Sequence, residues 1–422
     1  MRSFLEKYKD KYHFSVNFYS LFLIATFIPD LTGINKLYIK YAYWVIKIFL
    51  AFLVIRKDKR PLFRFSIAEG LFFMLIVIYT IRIFIDVFIL PVSSIPKPEW
   101  SQATGTIDFI GYVIGILIAF SFRYDPAYHS AESFNFFWVT LSLALVLAYF
   151  LSYETLDLDV HNARYDANST INSIMYGQTG CALALVSIYG IANAKSGTRR
   201  LLFLLTMFLG LISIAKAGSR SPVIVFALVS IIYLLTRLGK FKGTLIVSCF
   251  AFMLFFFIQP IMAFLESIGS TITNRLTNMI VEKESSGRDL IYSNTWKLIQ
   301  EHPLFGSFYV IPKGPGAGGY PHNFLLEVFL ATGAAGGILF LILLVITISK
   351  ALKVIKFNSG ASWISLLYLQ IIVYGMFSTG LYTSQDFWAL LFIFASMNVS
   401  TYTARPVQTK QVSRTLYLKL QK

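Results

Sequence analysis

The chain has 422 residues, of which 56% are hydrophobic and only 14% are charged, and its formal net charge is +16. Soluble domains carry about a quarter charged residues, so this composition excludes a soluble protein and indicates an integral membrane protein. No long alternating strand pattern occurs, which favours helices over a barrel. The positive charge is typical of cytoplasmic loops in such a protein, and nucleic acid is not expected as a partner.

The apolar segments predict about twelve transmembrane helices, because each is close to the 20 residues that a bilayer requires. The approximate centres are Leu21, Ile48, Ile76, Ile114, Leu143, Leu183, Leu205, Val229, Phe255, Ile338, Ile371 and Phe392. No soluble domain and no internal repeat interrupts them. We therefore expect an all-α polytopic membrane protein with one integral membrane domain, residues 1–422.

The loops between these segments predict the orientation. If the N-terminus is cytoplasmic, the inside segments carry 24 of the 37 lysines and arginines. These segments are residues 1–12, 56–64, 122–133, 194–200, 236–243, 350–360 and the tail from Ala404. The pattern follows the positive-inside rule and predicts that both termini are cytoplasmic. Residues 268–322 then form one long outside loop between spans nine and ten, which has room for short helices.

Two basic residues lie where the seventh span ends and the eighth begins, in "AKAGSRSPVIVF". Pro222 suits the first turn of the eighth span, so the hairpin is short and carries Arg220 at its tip. Lys216 lies on the same turn. These side chains suit an anionic ligand, and they suit equally an anchor among lipid headgroups.

The long outside loop contains "SSGRDLIYSNTWKLIQEHPLFG". The spacing of Ser286 and Asp289 predicts a capping box and a helix from about Arg288 to Gln300, which His302 and the following proline would end. An arginine at a helix N-terminus can grip phosphate oxygens beside the free backbone N–H groups. A solvated arginine at a helix start is the alternative.

The loop ends with "GPGAGG", residues 314–319, and with His322-Asn323, which begin the tenth span. No strand precedes the glycines, so we expect a flexible lid or slack chain there and no nucleotide site. A histidine at this boundary is suited to proton transfer, although a structural role is the alternative. Gly333 and Gly336 would allow close helix packing beneath it.

Other polar groups in the apolar segments are sparse. Arg82 and Asp86 are four residues apart and predict a structural ion pair. Cys181 and Cys249 both lie in apolar segments, so neither a disulfide nor a metal site is expected. No cofactor is predicted.

The features described so far resemble the O-antigen ligase/O-antigen polymerase superfamily. The resemblance rests on the "GSRSP" hairpin, on "SGRDLIYSNTWKLIQEHPLFG" in a single long loop, and on the twelve-span layout. It also rests on His322-Asn323 followed by nine residues and then Gly333-Ala334-Ala335-Gly336. It is specific from about Ile212 to Leu344.

The resemblance implies a fold similar to that of the membrane-embedded C-type glycosyltransferases. It also implies a metal-independent transfer of a glycan from undecaprenyl pyrophosphate to an acceptor hydroxyl, at the periplasmic face of the bacterial inner membrane. The acceptor is lipid A–core for a ligase or a growing glycan for a polymerase, and membrane lipids surround the enzyme.

The same resemblance assigns residues. Arg220 and Arg288 would neutralise charge on the leaving pyrophosphate. His322 would act as a general base, orient the acceptor or hold the pyrophosphate. Further substrate-binding residues would be Lys216, Arg275 and Asn323.

The choice within the family rests on two patterns. The His-Asn-x9-Gly-x-x-Gly spacing is the ligase pattern, and it favours a ligase. Ligases often have leucine four residues after the hairpin arginine, whereas here Ile224 follows Arg220, so a polymerase is the alternative. A protein O-oligosaccharyltransferase and a transporter of lipid-linked sugars are less favoured.

Overall fold

The computed structural model describes residues 14–18, 20–57, 66–90, 102–124, 130–157, 162–267, 287–357 and 360–398. The helices are α1 (Ser20–Thr26), α2 (Ile28–Thr32), α3 (Lys36–Lys57), α4 (Ile67–Phe84), α5 (Gln102–Ser121), α6 (Ala131–Leu151), α7 (Ser173–Asn193), α8 (Gly197–Ala217), α9 (Arg220–Leu238), α10 (Lys240–Ser267), α11 (Arg288–Glu301), α12 (Phe324–Lys356), α13 (Ser362–Gly375) and α14 (Gln385–Ser396). A π-helical turn, Ile85–Ile89, extends α4. The strands β1 (Tyr153–Asp157) and β2 (Asn162–Asp166) pair antiparallel between α6 and α7.

Each of the twelve predicted span centres lies inside a helix. In the described ranges, eight helices, α3 to α9 and α12, are long and apolar enough to cross a membrane. The first, eleventh and twelfth centres fall in shorter helices, and α13 and α14 have 14 and 12 residues. Helices of that length rise about 20 Å, less than the roughly 30 Å of a bilayer core. The all-α polytopic membrane class is confirmed, and twelve crossings remain a prediction.

Helices α7 and α8 cross at close range. A Cβ added to Gly180 would lie 2.7 Å from the Gly210 carbonyl oxygen, and one added to Gly210 would lie 2.6 Å from the Gly180 carbonyl oxygen. Paired glycines therefore let the two backbones touch, as small residues do between helices in membranes. Because α7 is the most buried of the eight long helices, this crossing lies at the centre of the bundle.

Helix α12 is sharply bent at Gly333, whose φ of 60° and ψ of −156° are not helical. The rings of Phe324 and Phe340 lie 4.7 and 5.9 Å from the same ring, that of Phe387. In a straight helix these two residues would be separated by about 24 Å along the axis. The first turns of α12 therefore fold back along the bundle, and they carry the N-terminal end of α12 into its interior.

The bend receives the loop that follows α11. The backbone N–H of Ala334 donates to the Pro303 carbonyl at 2.8 Å, and that of Ser307 donates to the Leu330 carbonyl at 2.8 Å. Gly333 thus accommodates loop backbone, and the predicted helix packing at Gly333 and Gly336 is wrong. A break leaves backbone N–H and C=O groups without helical partners, and the "HPLFG" segment satisfies them.

We expect Gly333→Ala to destabilise the protein. The added Cβ would lie 2.4 Å from the Leu304 carbonyl carbon, and only glycine adopts this φ,ψ region without strain. Strain alone should lower the free energy of unfolding by about 1–3 kcal/mol. Thermal unfolding in detergent measures the loss. Gly70→Ala is the matched control, because nothing lies within 4 Å of its added Cβ. Equal melting temperatures for both variants would contradict this account.

Helices α13 and α14 form a hairpin whose connection, residues 376–384, we call the 376–384 turn. It packs against the folded-back start of α12, since the Asn323 side chain donates to the Met376 carbonyl at 3.2 Å. The C-terminal end of the hairpin is held at the far end of the bundle, where the Lys350 ammonium donates to the Ala395 carbonyl at 2.8 Å. The turn therefore reaches the same interior region as the N-terminal end of α12.

Candidate functional site

His322 lies immediately before α12, next to the N-cap residue Asn323. Its φ of 55° is the one positive value outside glycine in the described chain. The ring contacts Tyr320 edge-on with centroids 4.5 Å apart. Within the described ranges its Nδ1 is buried and makes no hydrogen bond. A strained backbone that presents a buried, unpartnered ring nitrogen is characteristic of a functional position.

Arg288 is the first residue of α11, as the sequence predicts, and the helix ends at Glu301 beside His302. The N-cap of the helix is Gly287, with φ 70°, and Ser286 of the predicted capping box lies outside the described residues. Burial first, and then the Arg288 charge, lower the pKa of His322 from its ordinary value, while the nearby Ser378 backbone raises it. Arg288 and His322 are thus within electrostatic range, and both burial and the Arg288 charge favour the neutral imidazole.

Arg220 is the first residue of α9, and its neighbour Ser221 joins α9 to the same region. The Ser221 and Ser378 hydroxyls are 2.9 Å apart. Because the Ser378 backbone also lies beside the His322 ring, the 376–384 turn connects the start of α9 with the start of α12. The residues beside Arg220 and His322 therefore meet at one turn.

The helix starts in this region differ in how they are capped. The Ser219 side chain makes no capping hydrogen bond to α9, and Gly287 has no side chain to cap α11. In contrast, the Asn323 side chain accepts from the N–H groups of Leu325 and Leu326 at the start of α12. Uncapped first turns carry partial positive charge and bind anions. Arg220 and Arg288 each stand at such a helix start, a position suited to binding an anion.

Of the three residues that the family resemblance suggested as substrate contacts, two make other contacts within the described ranges. The Asn323 amide is engaged with α12 and with Met376. The Lys216 ammonium donates to the Tyr149 carbonyl at 2.8 Å and lies over the Tyr149 and Tyr165 rings, so it holds the β1–β2 hairpin. Arg275 lies outside the described residues. Among those described, no three His, Cys, Asp or Glu side chains cluster as metal ligands.

The predicted lid at residues 314–319 is a hydrogen-bonded turn. The Gly318 N–H donates to the Ile311 carbonyl at 2.8 Å. The Asn294 amide of α11 donates to the carbonyls of Lys313 and Pro315 at 2.7 and 3.0 Å. This turn is fastened to α11, so slack chain is the wrong description.

Glu327 is the residue that the sequence analysis missed. It is completely buried one turn into α12, and its carboxylate accepts hydrogen bonds from the Tyr79 hydroxyl at 2.9 Å and from the N–H groups of Leu381 and Tyr382 at 2.7 and 3.1 Å. The sequence signal that could have found Glu327 is an acidic residue inside an apolar run, five residues after His322. Ionisable groups within a membrane span are rare and mark functional positions.

The fold defines a helical membrane protein in which His322, on which the Arg288 charge acts, lies beside a turn that also contacts the start of α9. Comparison with known families adds that residues 205–341 match the family model described as O-Antigen ligase. The match covers about a third of the chain, from α8 past the bend of α12, and includes Arg220, Arg288 and His322. The resemblance to the O-antigen ligase/polymerase superfamily is confirmed over this segment, and with it a general ligase or polymerase type of activity. No curated protein matches the chain.

Proposed function

We propose that this protein transfers a glycan from undecaprenyl pyrophosphate to an acceptor hydroxyl at the periplasmic face of the bacterial inner membrane. The proposed type is an O-antigen ligase, with lipid A–core as acceptor. The observation that supports the proposal is that the 376–384 turn lies beside His322, on which the Arg288 charge acts, and contacts Ser221 at the start of α9. A lipid pyrophosphate is the polyanion that such a site would hold at the edge of a membrane.

In the proposed reaction the acceptor oxygen forms a bond to the anomeric carbon of the donor sugar. The bond from that carbon to the pyrophosphate oxygen breaks, and its electron pair leaves with the lipid pyrophosphate. Arg288 and Arg220 stabilise the charge that develops on the leaving group, as metals do elsewhere, so the reaction is metal-independent. The neutral His322 imidazole accepts the acceptor's proton as general base. A single displacement of this kind inverts the anomeric centre.

The distribution of charge supports the proposed orientation. Helix α8 separates Arg199 and Arg200 at its start from Arg220 just beyond its end, by about 30 Å. If the basic ends are cytoplasmic, the Arg220 end is periplasmic. Twelve crossings with both termini in the cytoplasm are part of the proposal.

A polymerase that joins repeat units is the second candidate. The observation that favours it is Ile224, four residues after Arg220, where ligases often have leucine. Both candidates use the same donor and the same leaving group, so only the acceptor distinguishes them.

The test is transfer by purified protein in EDTA, with undecaprenyl-pyrophosphate-linked repeat units as donor, with and without lipid A–core. We expect product only when lipid A–core is present. A ladder of lengths without lipid A–core would identify a polymerase. No transfer in either case, with the donors verified on a known enzyme, would contradict glycan transfer to these acceptors and favour a protein acceptor or transport.

A further inference from the structure

The buried carboxylate of Glu327 joins three parts of the bundle. It extends from the folded-back start of α12, and it accepts from Tyr79 near the middle of α4. Its remaining hydrogen bonds come from the backbone N–H groups of Leu381 and Tyr382, in the 376–384 turn. Removing a carboxylate from water is costly unless such bonds replace the lost hydration. All three donors therefore point at one group that has no contact with solvent.

The turn that Glu327 holds forms one wall of the candidate site. Gly380 is so close to Tyr320 that an added Cβ would lie 2.8 Å from the ring. The Tyr320 ring in turn contacts His322. Two residues before Gly380, the Ser378 backbone lies beside His322, and the Ser378 hydroxyl is 2.9 Å from that of Ser221. A shift of this turn would therefore move His322, Tyr320 and the start of α9 together.

The two ends of the turn are fastened by different residues. Asn323 binds the Met376 carbonyl at the first end. Glu327 binds Leu381 and Tyr382 at the second. Both tethers follow His322 closely in the chain, one at the N-cap of α12 and one in its first turns. They fix the position of His322 relative to the turn, because Asn323 and Glu327 are only one and five residues beyond it.

We propose that Glu327 is a positioning residue, whose carboxylate fixes the 376–384 turn against His322 and Ser221. It does not touch substrate. The effect of Glu327 on glycan transfer rests on the proposed function. The hydrogen bonds by which Glu327 holds the turn do not depend on that function. Misplacing reacting groups by about 1 Å can slow a reaction by about 100-fold, so a loosened turn should lower the rate far more than it lowers donor binding.

The first test is Glu327→Gln, which keeps the shape but directs an NH₂ group at an N–H or O–H donor. We expect kcat to fall by about 10- to 100-fold while the KM for the donor stays within about twofold. Tyr79→Phe removes one donor, keeps the packing, and should produce a smaller fall. Glu69→Gln is the matched control. Glu69, in the first turn of α4, is also a buried carboxylate, but it pairs with Arg123 at 3.0 Å.

The second test needs no donor. In a background where Cys181 and Cys249 are serine, a cysteine replaces the half-buried Thr379 in the turn, and its reaction rate with a water-soluble maleimide is measured. We expect Glu327→Gln to raise that rate several-fold and Glu69→Gln to leave it unchanged.

The outcomes separate this inference from the proposed function. Faster labelling and a lower kcat support the positioning role. An unchanged labelling rate in folded protein overturns it, whatever the transfer activity. Faster labelling with an unchanged kcat also overturns it, because the tether would then have no effect on the reaction. If the parent protein transfers no glycan, the proposed function fails while labelling still decides whether Glu327 holds the turn.

Discussion

Replacing Arg288 with alanine should lower the rate of glycan transfer by about 10²–10³-fold, the range found when one group that stabilises transition-state charge is removed. The side chain begins α11, where the N-cap residue is a glycine, and its charge acts on His322. Charge builds on the pyrophosphate only as the glycosidic bond breaks. The loss should therefore appear mainly in kcat, measured with purified protein and saturating donor.

Two matched variants make this result specific. Lys297→Ala removes an exposed positive charge from the same helix, nine residues away, and should retain nearly the full rate. Arg288→Lys keeps the charge but loses the planar guanidinium that binds two phosphate oxygens. Its transfer rate should therefore lie between that of Arg288→Ala and that of Lys297→Ala. If Arg288→Ala and Lys297→Ala transferred at the same rate, Arg288 would have no role in the reaction.

The helices were the most predictable part of the fold. Apolar windows of about 20 residues identify helices in a membrane regardless of their neighbours, and each predicted centre lies in one. The Arg82–Asp86 pair was also predictable, because residues four apart on a helix face meet. The structure adds that Asp86 accepts from the Tyr309 N–H at 2.8 Å, which anchors the loop after α11. That partner is more than 200 residues away, and local spacing gives no sign of it.

The bend of α12 was not predictable from its own sequence. Gly333 in an apolar run has the same appearance whether it packs against a helix or breaks one. The docking of the "HPLFG" backbone against residues 330–335 decides between them, and this contact is tertiary. The sequence placed Arg288 and His322 at the starts of helices, where the structure also has them, because each stands at a recognisable element boundary. It missed Glu327, whose three donors come from α4 and the 376–384 turn.

His322→Asn should abolish most transfer while preserving the fold, with a fall in rate of about 10²–10⁴-fold, the usual contribution of a general base. Asparagine is chosen because His322 has a φ of 55°, a region that asparagine tolerates better than alanine does. His322→Ala should be inactive and also less stable, so comparing the two separates loss of the ring from backbone strain. A folded His322→Asn protein with parental activity would exclude the ring from the chemistry.

The pH dependence of transfer tests the same residue in the parent protein. Burial and the Arg288 charge lower the pKa of His322 from its ordinary value, so protonation of the imidazole requires more acidic solution than for an ordinary histidine. A general base works in its neutral form, so the rate should be constant at neutral and alkaline pH and fall only on acidification beyond the ordinary histidine range. Arg288→Ala removes one cause of the lowered pKa, so the residual activity should begin to fall at a higher pH. In His322→Asn this acidic fall should disappear from the residual rate, and its persistence at the same pH would assign the titration to another group.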